Sequence, residues 1–392
     1  MTPAENISEE LSLAIDLLTQ FNLLVLVIII FIASLISLRL GLSVAIIEIV
    51  LGAVFGNLGF LQVTDWMTLV ASLGGILLTF LAGTEININL MREKYKESFL
   101  IGFCSFLAPF IGVSLYTYSV AGWNLEAALI AGIALSTTSL AVVYSVLMET
   151  DIPNSDLVKI ILAATFVTDI STALALSIIF IKPDLYTILF IVISIAVIAL
   201  AAKYSKHIFG HDKLKNKVIE PEIKYVFVLL VLFMYFAALG NGQAVLPAFV
   251  LGLLMSKELA KVKEATTRLR TVAYAVITPI FFIVGGLNVS FSLVLAFLGL
   301  FVILFAIKFI SKFIGVYFLA NKYIPNGSMY TTLLMSTGLT FGTIASVFGL
   351  NAGYIDQVQY SVLIGVVVAS AVIPTFIAQK WFLPRHREDI VE

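Results

Sequence analysis

Charged residues, histidine and cysteine are all scarce in this chain. Only 12% of its 392 residues are charged and 60% are hydrophobic, whereas about 25% of a soluble globular domain is charged. The single Cys104 excludes an internal disulfide and a thiolate metal site. The three histidines fall in polar connections, which disfavours histidine chemistry within the apolar segments. This composition indicates a polytopic helical membrane protein.

Hydrophobic runs recur along the chain, and crossing a bilayer takes roughly 20 such residues. Polar breaks divide the chain into thirteen apolar segments: 22–38, 42–56, 66–83, 99–121, 127–147, 157–181, 184–202, 223–239, 243–256, 271–287, 292–320, 328–349 and 357–380. We therefore predict an all-α fold with thirteen transmembrane helices. The first 20 residues lack the basic region of a secretory signal, so no cleaved leader is expected.

The charges of the connections support this count. If the odd-numbered connections face the cytoplasm, they hold 20 of the 23 cations; Lys182 lies on the other side, and Lys308 and Lys312 lie within the eleventh segment. Cytoplasmic loops of membrane proteins are enriched in Lys and Arg. A wrong number of segments would place the cationic connections after the error on the opposite side of the membrane from those before it. We expect a cell-membrane protein whose N-terminus is outside and whose C-terminus is cytoplasmic.

Two segments carry similar polar interruptions, ALSTTSLAVV (134 to 143) and LMSTGLTFG (334 to 342). Ser136 and Thr137 precede Ser336 and Thr337 by 200 residues, and Gly338 follows. The two segments cross the membrane in opposite directions, which is typical of an inverted-topology repeat with discontinuous helices. The alternative is that these are packing faces, since small residues also let intact helices approach closely.

An aspartate lies in the sixth segment, in TFVTDIST (165 to 172). Asp169 is roughly 18 Å along that helix, near the bilayer centre, where a charge costs from about 2.5 to more than 10 kcal/mol. Thr165 and Thr172 share its face, and such oxygen ligands suit Na⁺ or Li⁺ and, with more room, K⁺. Burial disfavours the charged carboxylate, so we expect protons and cations to compete for it. The alternative is a structural aspartate that neighbouring hydroxyls stabilise.

The other charges within the segments are two lysines and two acids. Lys308 and Lys312 share one helix face, and each could pair with Asp169 or extend to the cytoplasmic surface. Glu48 is deep enough to line the path of a cation, whereas Glu85 is interpreted as an interfacial residue. We expect no cofactor beyond the transported ions.

Six stretches in order carry a family resemblance: EIVLGAVFGN (48 to 57), GGILLTFLAGTEININL (74 to 90), ALSTTSLAVV (134 to 143), ILAATFVTDIST (161 to 172), PIFFIVGGLNVSF (279 to 291) and SKFIGVYF (311 to 318). Together they resemble the monovalent cation:proton antiporter superfamily, in the branch with bacterial sodium/proton and potassium efflux antiporters. The resemblance implies a homodimeric elevator transporter. It also implies a transport core at about 99–181 and 292–380, and a dimerising scaffold at about 22–83 and 184–287.

The resemblance also assigns roles to individual residues. Asp169 matches the aspartate of the family that binds the ion and the proton, and Thr165 matches a hydroxyl position near the ion in some members. Thr137 and Thr138 match the unwound crossing peptide, and Ser136 beside them completes this part of the expected ion-binding set.

Thr168, which we also include in that set, departs from the family pattern. Electrogenic members have a second aspartate at this position, and Lys312 matches the lysine that pairs with their two acids. Electroneutral members often have a neutral residue there. The resemblance therefore implies exchange of one cation per proton without net charge movement.

We expect an antiporter that exchanges Na⁺, or Li⁺, for H⁺. The alternative is K⁺/H⁺ exchange, although potassium efflux relatives often carry a nucleotide-binding domain that is not expected here. An intramembrane protease would need a second catalytic aspartate or a serine with an intramembrane histidine, and neither is found in the sequence. A channel would not need an inverted repeat.

Overall fold

The computed structural model describes residues 3–85, 93–149, 156–180, 185–210, 220–239, 244–261 and 263–384. Up to residue 149 the helices are α1 (Pro3–Leu40), α2 (Val44–Asn57), α3 (Asp65–Thr84), α4 (Tyr95–Ser119), α5 (Leu125–Ser136) and α6 (Leu140–Glu149). Next come α7 (Asp156–Ile179), α8 (Leu185–Gly210), α9 (Pro221–Leu239) and α10 (Val245–Lys261).

The rest of the described chain is also helical. It comprises α11 (Lys263–Val272), a π-helical turn (Ala273–Ile277), α12 (Thr278–Leu287), α13 (Phe291–Ala296), α14 (Leu298–Tyr323), a 3₁₀ turn (Pro325–Gly327), α15 (Ser328–Met335), α16 (Thr340–Asn351) and α17 (Gln357–Trp381). Helices satisfy their own backbone hydrogen bonds, which a segment within lipid requires.

The all-α prediction is confirmed, and each of the thirteen apolar segments coincides with a helix or with a series of short helices. Ten helical stretches of the described chain are long and apolar enough to cross a membrane. The first helix differs from expectation, because it begins at Pro3 and only its part Thr19–Leu40 qualifies as a span. The cationic connections 86–92 and 211–219 and the end 385–392 lie outside the described residues.

The two polar interruptions break their helices and cross, as the sequence predicts. The helix α5 ends at Ser136 and α6 begins at Leu140, while α15 ends before the second interruption and α16 begins after it. The Thr138 hydroxyl donates to the carbonyl of Met335 over 2.9 Å, and the Ser139 N–H donates to Thr337 Oγ1 over 3.4 Å. We call residues 136–139 and 336–339 the crossing.

The crossing depends on one glycine. A Cβ atom on Gly338 would lie 2.6 Å from Lys308 Nζ and 2.7 Å from Thr137 Oγ1. Only a residue without a side chain lets the two interrupted segments approach this closely.

Glycines also bring two other helix pairs, α3–α10 and α2–α12, close together. On α10, a Cβ on Gly252 would lie 2.1 Å from the carbonyl oxygen of Phe80 on α3. Gly83 makes the reciprocal approach, because its Cβ would lie 2.3 Å from the Phe249 carbonyl oxygen. The α2–α12 pair repeats the arrangement through Gly52 and Gly286. These helices therefore pack backbone against backbone.

The helices pack in two groups that meet beside the crossing. The helix α4 packs against α5, α7 and α14, whereas α3 packs against α10 and α12. These two groups meet where α7 contacts α10 and where α16 contacts α3 and α12. Asp169 on α7 and the start of α16 therefore lie at this boundary.

Candidate cation site

The Asp169 carboxyl group is buried and incompletely satisfied. Its residue is only 2% exposed, and its Oδ1 atom has no hydrogen-bond partner in the described structure. A buried carboxylate without partners is costly, so the group requires a proton, a cation or a moved side chain. The geometry therefore leaves Asp169 free to bind a ligand.

A cavity of about 70 Å³ reaches Asp169. Its walls include Glu48 on α2, Glu85 after α3, and Tyr274 in the π-helical turn. A space of this size is large enough for water or for a partly hydrated monovalent cation. The cavity thus combines carboxylates from both helix groups.

Two of the half-helices begin at the cavity that contains Asp169. Leu140 and Thr340, the first residues of α6 and α16, line the cavity with Asp169. Helix N-termini carry partial positive charge, which stabilises a carboxylate, while C-termini carry partial negative charge. Lys312 contacts Thr138 and Lys308 lies beside Gly338, so both lysines reach the interruptions themselves. The Asp169 carboxyl group therefore shares its cavity with the starts of two half-helices.

Lys312 is held by two hydroxyl groups. Its Nζ atom donates to Ser105 Oγ over 2.8 Å and to Thr138 Oγ1 over 3.0 Å, and the residue is fully buried. Lys312 does not extend to the surface as one alternative expected, while its pairing with Asp169 stays a prediction, since no salt bridge joins the two side chains among the described residues.

Lys308 lies one turn earlier and binds differently. Its Nζ atom donates to Ser370 Oγ on α17 over 2.8 Å, and the residue is 1% exposed. The same amino group lies beside Gly338 and Thr137 at the crossing. Lys308 therefore links α14, α17 and the crossing, again without an ion pair to Asp169 among the described residues.

The threonines of α7 donate their protons to their own helix. Thr165 donates to the Ile161 carbonyl over 2.9 Å, and Thr168 donates to the Thr165 carbonyl over 2.6 Å. Thr165 Oγ1 also lies 3.6 Å from Met335 Sδ, so α7 meets the end of α15 there. Their oxygens keep lone pairs with which to accept a hydrogen bond or coordinate a cation.

The crossing hydroxyls behave in the same way. Ser136 donates to the Ile133 carbonyl over 2.9 Å, and Ser336 donates to the Thr332 carbonyl over 2.7 Å. Thr337 donates to the Leu334 carbonyl over 2.8 Å. These bonds satisfy carbonyls that the helix breaks leave free. The crossing residues lie together; of them Leu339 lines the cavity, together with Leu140, Thr340 and Phe341, which follow the two interruptions.

Sequence reasoning missed the partners of the lysines. Ser105 and Ser370 are each one of several hydroxyl residues in the long helices α4 and α17. The sequence carries no signal that sets these two serines apart from the others. The ion pair of Arg270 with Glu85 (Nη2–Oε1 3.1 Å) was also not anticipated.

Several antiporters are similar to this chain in sequence. A Na⁺/H⁺ antiporter of Enterococcus hirae is 27% identical over 374 residues, which cover 90% of this chain and 94% of the relative. The probable Na⁺/H⁺ antiporter 3 of Methanocaldococcus jannaschii is 28% identical over 64% of this chain and 66% of its own length. The K⁺/H⁺ antiporter 1 of Saccharomyces cerevisiae is 25% identical over 63% of this chain and 32% of its own length. The chain thus spans just under two thirds of the archaeal relative and about a third of the yeast one.

The fold is shared with a solved antiporter. The structure of the sodium proton antiporter MjNhaP1 from Methanocaldococcus jannaschii superposes with a TM-score of 0.68 at 15% identity, over 94% of this chain and 98% of that one. Residues 25–382 match the profile of the family described as sodium/hydrogen exchanger, transmembrane. This multi-span membrane protein therefore belongs to the sodium/hydrogen exchanger family.

Proposed function

We propose that this protein is a secondary antiporter of the cell membrane that exchanges Na⁺, or Li⁺, for H⁺. The observation that carries the proposal is the buried Asp169, whose Oδ1 atom lacks a partner and which lines a cavity between the starts of two half-helices. The names of the bacterial and archaeal relatives support sodium as the cation.

One carboxylate is sufficient for exchange. A cation that enters the cavity binds Asp169 only when its proton has left, and a proton that returns displaces the cation. Because each ligand neutralises the buried charge, the loaded site can move through an apolar environment, whereas the empty carboxylate is costly to move. Coupling follows when only loaded forms change sides.

An elevator movement of the transport core is the corresponding conformational step. The crossing, α7 and α14 would move together against α3, α10 and α12, and the protein would form a homodimer through its scaffold. The boundary at Asp169 supports this division, since the cavity walls come from both groups.

Exchange without net charge movement is the expected stoichiometry. Thr168 offers no second carboxylate, and its hydroxyl donates to its own helix. Lys312 Nζ hydrogen-bonds to the hydroxyls of Ser105 and Thr138 rather than to a second carboxylate.

Proton flux from proteoliposomes on addition of Na⁺, Li⁺ or K⁺ tests the proposal. We expect saturable proton movement opposite to Na⁺ or Li⁺. A response to K⁺ alone would favour the second candidate, K⁺/H⁺ exchange, which the name of the yeast relative supports. Cation flux without coupled proton movement would overturn both.

A further inference from the structure

We infer that Glu48 is a second cation-binding carboxylate, which serves the transport site from one side of the membrane only. The inference rests on the proposed function, because it assigns Glu48 to the path between Asp169 and the solution. Its ligand is the monovalent cation that Asp169 carries.

Glu48 is buried in an apolar helix and faces the cavity. It lies on α2, is 2% exposed and lines the same cavity as Asp169. No hydrogen bond or ion pair holds its carboxyl group among the residues that the structure describes. A carboxylate at such a position costs several kcal/mol unless a proton or a cation accompanies it. Two incompletely satisfied carboxyl groups therefore share one cavity.

Glu85 does not fill this role equally well. Its Oε1 atom lies 3.1 Å from Arg270 Nη2, so a cation that binds Glu85 must compete with a tethered guanidinium. Glu48 has no such competitor in the described chain. Of the two scaffold carboxylates in the cavity, Glu48 is therefore the one available to an incoming ion.

The position of Glu48 makes its contribution one-sided. Glu48 lies on α2, which is fixed against α12 by the backbone contacts of Gly52 and Gly286. Asp169 belongs to α7 in the transport core. A core movement that carries Asp169 to the other side leaves Glu48 behind, so Glu48 can assist binding only when the site opens into this cavity. The cavity lies at the membrane side that carries Glu85 and Arg270, which the loop charges assign to the cytoplasm.

The test compares Glu48→Gln with the wild type in membrane vesicles of both orientations. Everted vesicles present the cytoplasmic face to added Na⁺, and right-side-out vesicles present the outer face. We expect the half-saturating Na⁺ concentration to rise roughly tenfold in everted vesicles, as for loss of one charged contact in a desolvated site. In right-side-out vesicles it should stay within about twofold of the wild-type value, because Glu48 does not reach the outward-facing site.

Two variants control the comparison. Glu48→Asp keeps the charge and should recover most of the affinity in everted vesicles. Glu222→Gln neutralises a buried carboxyl group on α9 that does not line the cavity, and it should change neither value. The inference is overturned if Glu48→Gln raises the half-saturating Na⁺ concentration equally in both orientations. It is also overturned if Glu48→Gln raises it in neither orientation, in an experiment where the wild type exchanges Na⁺ and Asp169→Asn does not. If the wild type itself shows no coupled exchange, the proposed function fails instead.

Discussion

The crossing and the α3–α10 contact both bring backbones unusually close, but they do so with different chemistry. At the crossing the buried residues are hydroxyls, including Thr137 and Thr138, and two lysines contact them. At the α3–α10 contact the neighbours of Gly83 and Gly252 are apolar, such as Leu81 and Leu251. One region combines close packing with polar groups, and the other relies on close packing alone.

This difference predicts different consequences of substitution in the two regions. Polar groups at the crossing have partners that can change, because a hydroxyl can donate or accept. The glycine contacts between α3 and α10 have one arrangement, because a backbone carbonyl that packs against a Cα atom cannot exchange that contact for a hydrogen bond to another group. We therefore expect changes at the crossing to alter transport and changes at the α3–α10 contact to alter stability.

The largest expected effect is that of Asp169→Asn. The amide is nearly isosteric but cannot exchange a proton for a cation, so coupled flux should fall to the level of protein-free liposomes. Thermal stability should be retained, because a neutral amide is less costly to bury than a carboxylate. Asp65→Asn, at the exposed start of α3, is the matched control and should keep full flux. Full exchange by Asp169→Asn would contradict the assignment of Asp169 as the carboxylate that binds the cation and the proton.

The sequence predicted the fold and the crossing well for physical reasons. Apolar length sets the spans, and Ser, Thr and Gly at 136–138 and 336–338 mark positions where helices break. The side-chain partners of Lys308 and Lys312 could not be predicted, since they depend on how α4 and α17 pack against α14. Because hydrophobic runs carry no information about which faces meet, Ser105 and Ser370 stayed unnoticed.

Gly338→Ala should have the next largest effect on transport. The added methyl group would lie 2.6 Å from Lys308 Nζ and 2.8 Å from the Thr137 carbonyl oxygen, so the crossing must spread. We expect at least a tenfold lower exchange rate, with a loss of roughly 1–3 kcal/mol in stability from overpacking. Gly299→Ala is the control, because a Cβ there meets no atom within 4 Å. Unchanged flux in Gly338→Ala would show that the crossing tolerates expansion.

Gly252→Ala tests the expectation for the α3–α10 contact. Its Cβ would lie 2.1 Å from the Phe80 carbonyl oxygen, and α3 and α10 must move apart. We expect a loss of roughly 1–3 kcal/mol in stability, seen as a lower melting temperature in detergent. The half-saturating Na⁺ concentration of the protein that remains folded should be unchanged. A large change in cation affinity with normal stability would contradict the separation of the two regions.

Thr168→Asp sharpens the comparison on α7. A second carboxylate beside Asp169 should add a charge to the transported unit. With the proton gradient clamped, wild-type exchange should not respond to an imposed membrane potential, whereas the variant should respond. A strong response of the wild type would count against electroneutral exchange, and Thr168→Ser should behave as the wild type does.

The smallest expected effect is that of Asn124→Ala. The Asn124 side chain caps α5 by accepting the Ala127 N–H over 2.7 Å, at the end of the half-helix remote from the crossing. Loss of such a cap costs about 1 kcal/mol. If stability and transport are separable within α5, as we expect them to be between the two regions, the melting temperature should fall slightly while cation affinity stays constant. A matching fall in affinity would mean that the half-helix transmits strain from its outer end to the crossing, and the crossing would then depend on the whole of α5 rather than on its last turn.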